Sequence, residues 1–182
     1  MLGFCEEVGV MNLRQCGAVV IGVVMCASGV LIAGAANAGA TPVRDRQALS
    51  KAKSDLAAQA FSLQGLIVQL NYGGYTMAEA QYGAEHAGAN WNHEAVLSAK
   101  QNLTSRAYSS KGLVQRLEVA KFTVSQAKYG VAECGANWNT QAYLSAKQDL
   151  QAVKYSKSGL VRQLEPSGFT AAQASYGANK AF

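Results

Sequence analysis

Gly65, Gly112 and Gly159 stand 47 residues apart, as do Tyr82, Tyr129 and Tyr176, and Trp91 and Trp138 keep the same interval. A fixed period of this length constrains the chain more than any other feature, because it calls for one supersecondary unit set beside copies of itself. Ala52-Lys53, Ala99-Lys100 and Ala146-Lys147 superpose at that offset, as do Leu56, Leu103 and Leu150, and the stretches 88–92 and 135–139 both read Gly-Ala-Asn-Trp-Asn. The period divides the chain into a leader over residues 1–40 and units over 41–91, 92–138 and 139–182, the third cut short before its own Gly-Ala-Asn-Trp-Asn.

Each unit is expected to hold three helices and no strand. Many alanines, only 2 prolines and few β-branched runs favour helix throughout. The first helix is expected at about 46–59, 93–106 and 140–154, with Ala95, Ala99 and Leu103, or Ala142, Ala146 and Leu150, on one stripe and with Asn92 and Asn139 as N-caps. The second is short, follows Ser62, Ser109 or Ser156 as cap, and buries Leu66 and Leu70, Leu113 and Leu117, or Leu160 and Leu164.

The third helix carries the clearest start signal. Thr76 with Glu79, Thr123 with Gln126 and Thr170 with Gln173 form capping boxes, each preceded by an aromatic residue placed to staple the first turn. Ala127, Gly130, Val131 and Cys134 then share a face, and Gly83, Gly130 and Gly177 recur in the helix interior. Glycine there costs up to ~1 kcal/mol relative to alanine, so its recurrence predicts close approach of another helix. Gly88 and Gly135 suit positions just beyond the helix end. Trp91, Trp138 and the repeated tyrosines are assigned mainly to packing.

Residues 16–36 carry no charged side chain, and Arg14 stands just before them. With the small residues of Ala36-Asn37-Ala38, this order reads as an export signal cleaved after Ala38. Met11 is a better start than Met1, because Glu6 and Glu7 do not suit the basic region of a signal. Two alternatives stay open. Twenty-one uncharged residues are long enough for an uncleaved transmembrane anchor, and Cys26 is a candidate lipidation site, although Met25 is a bulky neighbour for one. All three routes place the remainder beyond the membrane. Cleavage would leave Cys134 as the lone cysteine, expected to be packed rather than reactive.

The remainder is basic, with 15 Lys/Arg against 9 Asp/Glu once Arg14, Glu6 and Glu7 are set aside. Its second and third helices resemble a helix-turn-helix, so nucleic acid is the first partner to weigh. The third helix nonetheless offers base edges only Glu79 and Glu85 in one copy and Lys128 in the next, a poor reading face. The cations cluster instead between first and second helices, where Lys111, Arg116, Lys157 and Arg162 are the candidate partner-binding residues for an anionic envelope polymer or a protein. Catalysis finds no pattern. His86 and His93 occur in one copy only and are separated by Gly88, and phosphate loop, nucleophile elbow and His-Cys pairing are all missing. No enzyme, cofactor or metal is expected.

With these motifs assembled, the unit resembles the Ltp repeat of host cell surface-exposed lipoproteins found in phages, prophages and their hosts. Ser-x-x-Gly-Leu at Ser62, Ser109 and Ser156, the aromatic-Thr capping box, Tyr-Gly in the third helix, Asn-Trp-Asn and the following Ala-Lys carry the resemblance, which spans about 45–182. It implies an all-helical, envelope-anchored protein of the superinfection-exclusion type, whose units would bind a component of a phage injection apparatus without catalysis.

Overall fold

The computed structural model describes residues 42–182, and every regular element among them is an α-helix. Helices α1 (Pro42–Ala58), α2 (Leu63–Tyr72) and α3 (Met77–Glu85) form a first triplet. A second consists of α4 (Trp91–Ser105), α5 (Ser110–Val119) and α6 (Val124–Glu133), and a third of α7 (Trp138–Ala152), α8 (Lys157–Leu164) and α9 (Ala171–Ala181). The expected leader, with the candidate lipidation site Cys26 and the expected cleavage after Ala38, lies outside the described residues.

Each triplet closes on its own apolar cluster. In the first, Ala52, Leu66, Ile67, Leu70, Ala80 and Ala84 are buried together. Ala99, Leu113, Leu117, Phe122, Ala127 and Val131 take that role in the second, and Ala146, Leu160, Leu164, Phe169, Ala174 and Ala178 in the third. The two leucines on each short middle helix are among the largest fully buried side chains. At roughly 1.5–3 kcal/mol for each such side chain, they are the main apolar contribution of a helix too short to persist alone.

The first and third helices of each triplet lie in near-backbone contact, and the recurring glycines make this possible. A Cβ on Gly83 would sit 2.7 Å from the carbonyl carbon of Ala48; on Gly130 or Gly177 it would sit 2.6 Å from the carbonyl oxygen of Ala95 or Ala142. The expected capping boxes are present at Thr76, Thr123 and Thr170, with both reciprocal hydrogen bonds in each. Phe122 and Phe169 ahead of them are buried. Gly135, at φ +72°, directly follows the Cys134 C-cap, whereas Gly88, at φ +76°, stands one residue further beyond the His86 C-cap. Cys134 is buried in the second cluster, with its thiol directed at the Val131 carbonyl.

Three helix starts differ from expectation. Helix α1 begins at Pro42 rather than near 46, since proline at the first helical position lacks only an amide that would be unsatisfied anyway. The caps of α4 and α7 are Asn90 and Asn137, not Asn92 and Asn139. Asn90 Oδ1 accepts from the amides of Asn92 and His93, and Asn137 Oδ1 from that of Thr140. Both asparagines of each Asn-Trp-Asn could serve as caps, and the earlier one makes tryptophan the first helical residue. From there Trp91 packs on the first cluster and Trp138 on the second, each reaching back onto the preceding triplet. Trp138→Ala should therefore lower stability by about 1–3 kcal/mol, below the range for a fully buried tryptophan. The loss should fall on the boundary between second and third triplets; an unchanged thermal transition would contradict this packing.

Candidate functional site

Successive triplets are joined by one contact made twice. The Ser62 hydroxyl caps α2 by accepting from the Gly65 amide at 2.9 Å, and donates to the carbonyl of Ala120, the C-cap of α5, at 2.7 Å. Ser109 repeats this one triplet on: it accepts from Gly112 at 2.9 Å and donates to the Ser167 carbonyl at 2.6 Å. A serine at the N-cap thus satisfies a helix start with its oxygen and a neighbouring triplet with its proton. Gly65 keeps the approach open, since a Cβ there would lie 2.9 Å from the Ser62 oxygen and 3.4 Å from that of Ala120.

Beside each joint runs a groove. The first, about 400 Å³, is lined by Phe61, Val68, Val119 and Phe122 together with Gln101, Asn102, Arg116 and Lys121. The second, about 230 Å³, is lined by Arg106, Tyr108, Ser145, Asp149, Gln163 and Phe169 among others. All of its lining residues are 47 positions on from lining residues of the first. The two differ in charge: Arg116 Nε donates to Asn102 Oδ1 at 3.1 Å in the first, whereas Asp149 faces Arg106 in the second. Burial raises the Asp149 carboxyl above its ordinary range, and the Arg106 charge partly opposes that rise.

Glu94, near the start of α4, reaches across the first joint. Burial raises its carboxyl, while a hydrogen bond from the Phe61 backbone and the nearby His93 pull the other way. Because the folded group binds its proton more tightly than the unfolded one, the stability it confers is complete below the ordinary glutamate range. That contribution is lost as pH rises through the elevated folded value. The corresponding residues of the other triplets are Gln47 and Gln141, so Glu94→Gln is a conservative probe. The variant's stability relative to the parent should improve from pH 4 to pH 7 in urea unfolding; a gap independent of pH would contradict the assignment.

The four cations singled out in the sequence do not converge. Arg116 lines the first groove, and Lys111 lies at the second joint, where its Cβ is 3.0 Å from the place a Cβ on Gly168 would occupy. Lys157 sits 5.8 Å from the Phe182 ring, and Arg162 is exposed further along α8. They occupy non-equivalent positions of the repeat and form no shared anion site.

The repeated tyrosines correct the assignment to packing. Tyr82, Tyr129 and Tyr176 are 36%, 47% and 40% exposed, one on the third helix of each triplet, immediately before the glycine that faces the first helix. The glycine takes the contact, which leaves the tyrosine turned outward. Their neighbours four residues on vary: His86 stacks on Tyr82 with ring centres 4.1 Å apart, Glu133 follows Tyr129, and the Lys180 ammonium lies 5.7 Å from the Tyr176 ring. Tyrosine offers a large, rigid, amphipathic contact at low entropic cost, which is why it anchors protein interfaces.

One ion pair in the first triplet also escaped the sequence pattern. Glu79, 3% exposed, accepts from the Thr76 amide at 2.9 Å as the capping-box residue and pairs with Arg44 Nε at 3.1 Å. Arg44 further donates to the Gly74 carbonyl, so it clips α1 to the turn before α3. Among the described residues no cluster of three or more His, Cys, Asp or Glu side chains is placed to hold a metal, and no helix is long and apolar enough to cross a membrane.

Residues 44–86 match the family model for host cell surface-exposed lipoprotein, Ltp. The match runs from Arg44 to His86, the C-cap of α3, and supports the resemblance drawn from the motifs. No curated protein and no solved structure matched the chain.

Proposed function

We propose that the chain is a non-catalytic interaction module of the Ltp kind, exported by its leader and displayed on the cell envelope. In this reading the 47-residue unit is one module used three times, with 91–133 and 138–180 as counterparts of the matched 44–86. Its partner is a protein, a component of a phage DNA-injection apparatus, and its effect is exclusion of a related phage. The observation that carries the reading is the half-exposed tyrosine at the same helical position of every triplet, since core packing alone gives no reason to place a large aromatic ring there. Grooves with mixed apolar and amide linings beside the joints suit a peptide-like ligand more than a reacting small molecule.

Expression in a susceptible host should lower plaque numbers for a phage that injects through the bound component, while adsorption stays normal. Unchanged plaque numbers with the protein present at the surface would refute the reading. Exposed Lys154, Lys157 and Arg162 favour a second reading, attraction to an anionic envelope polymer. That reading predicts salt-sensitive co-sedimentation with purified cell wall and no effect on plaques.

A further inference from the structure

The joint between triplets has a donor half and an acceptor half, and one of each is left over. The spare donor is Ser156. It caps α8 with backbone angles of −75° and 161°, against −79° and 161° at Ser62 and −74° and 161° at Ser109. Its oxygen accepts from Gly159 at 3.2 Å, yet no carbonyl of another triplet receives its proton. Its other hydrogen-bond contact is the Ser158 hydroxyl of its own helix, at 3.3 Å. The spare acceptor is the carbonyl of Gly73, the residue corresponding to Ala120 and Ser167. It is exposed, and no side-chain hydroxyl among the described residues donates to it.

Both halves are already in the joined conformation. The turn carrying the acceptor has positive φ at Gly74 (+91°), Lys121 (+69°) and Gly168 (+92°), so the Gly73–Gly74 turn, which Arg44 holds through the Gly74 carbonyl, matches the two engaged ones. At the donor, a Cβ on Gly159 would meet only Ser156 and Tyr155 of its own triplet, whereas at Gly65 and Gly112 the neighbouring carbonyl also lies within 4 Å. Lys154 and Arg162 border the donor; on the acceptor side Asp55, at the place where Asn102 and Asp149 line the engaged grooves, is ion-paired with Lys51 of its own helix.

We propose that the Ser156 face of one molecule docks on the Gly73–Gly74 turn of a second copy, making the same joint a third time. The contact uses different surfaces on the two partners and does not close on itself, so association continues head to tail into an open array. Within the chain each joint benefits from tethering; between chains it lacks that effective concentration, so it is weak in dilute solution and favoured where copies are crowded on a surface.

Sedimentation equilibrium of the leaderless chain up to about 1 mM, the range of effective concentration a short tether provides, tests this. The average mass should climb past the dimer without a plateau. Gly159→Gln should abolish the climb, because it fills the donor face with a Cβ 3.2 Å from the Ser156 hydroxyl oxygen, which must shift slightly to admit it. Gln69→Lys with Tyr72→Lys should do the same by setting positive charge against Lys154 and Arg162. Mixing the two blocked forms should restore a dimer and nothing larger, since each supplies the half the other lacks. Helicity by circular dichroism serves as the folding control for both. A constant monomer mass, a plateau at the dimer for the parent chain, or a climb unaffected by the variants would overturn the proposal.

Discussion

Gly130→Ala is expected to destabilise the protein by about 1–3 kcal/mol, although helix propensity alone predicts a gain of up to ~1 kcal/mol. The two effects differ in sign, so the experiment decides between them without fine quantification. The new methyl would lie 2.6 Å from the Ala95 carbonyl oxygen and 2.7 Å from its carbon. Both belong to the backbone of α4, which cannot turn aside as a side chain could. Relief requires α6 to move off α4, opening the contact around Ala99, Ala127 and Val131. Ser125→Ala, at an exposed site on the same helix, should leave stability within about 0.5 kcal/mol of the parent. A stabilised Gly130→Ala protein would mean that α4 and α6 are not packed this closely.

Leu117→Ala should cost about 2–5 kcal/mol, the range for emptying a fully buried leucine site. Its consequences should extend beyond its own triplet. In a linear array each unit is held by its neighbours, and the second triplet carries both serine joints, as acceptor at Ala120 and donor at Ser109. Melting it removes support from both sides, so the variant should lose helicity throughout residues 42–182 in one lowered transition. Leu164→Ala removes the same chemistry from the third triplet and should instead produce a separate early transition. Hydrogen exchange would separate the two: α1 to α3 should stay protected in Leu164→Ala under conditions that expose them in Leu117→Ala. The same exchange pattern in both variants would contradict the array.

What could be read from the sequence was local. Thr123 with Gln126, or Ser109 three residues before Gly112, settles a helix start within one turn, so the middle- and third-helix caps follow from spacing alone. Leu113 and Leu117 are large side chains on a short amphipathic helix, and they have one apolar place to go. The two asparagines flanking Trp138 defeated the same reasoning, because both satisfy the local rule and the choice depends on where the indole finds a surface.

The joints were hidden for a different reason. Ser109 donates to the carbonyl of a residue 58 positions away, and a carbonyl leaves no trace in residue identity: the three acceptor positions are Gly73, Ala120 and Ser167. The tyrosines were misassigned because Tyr129 is adjacent to Gly130, and a period locates a repeated residue without saying which side of the helix faces the core. Glu94 is a first-turn acid of α4 whose burial depends on the preceding triplet, which no local pattern shows.

The most direct test of the interaction-surface account is an infection assay with Tyr82, Tyr129 and Tyr176 all changed to serine. The variant should be checked for parental helicity and for equal amounts at the cell surface. None of the three rings is more than two-thirds buried, so the fold should survive their loss. The account predicts that the parent chain suppresses plaques and that the triple variant lets them return. Full suppression by the triple variant, or none by the parent, would contradict it.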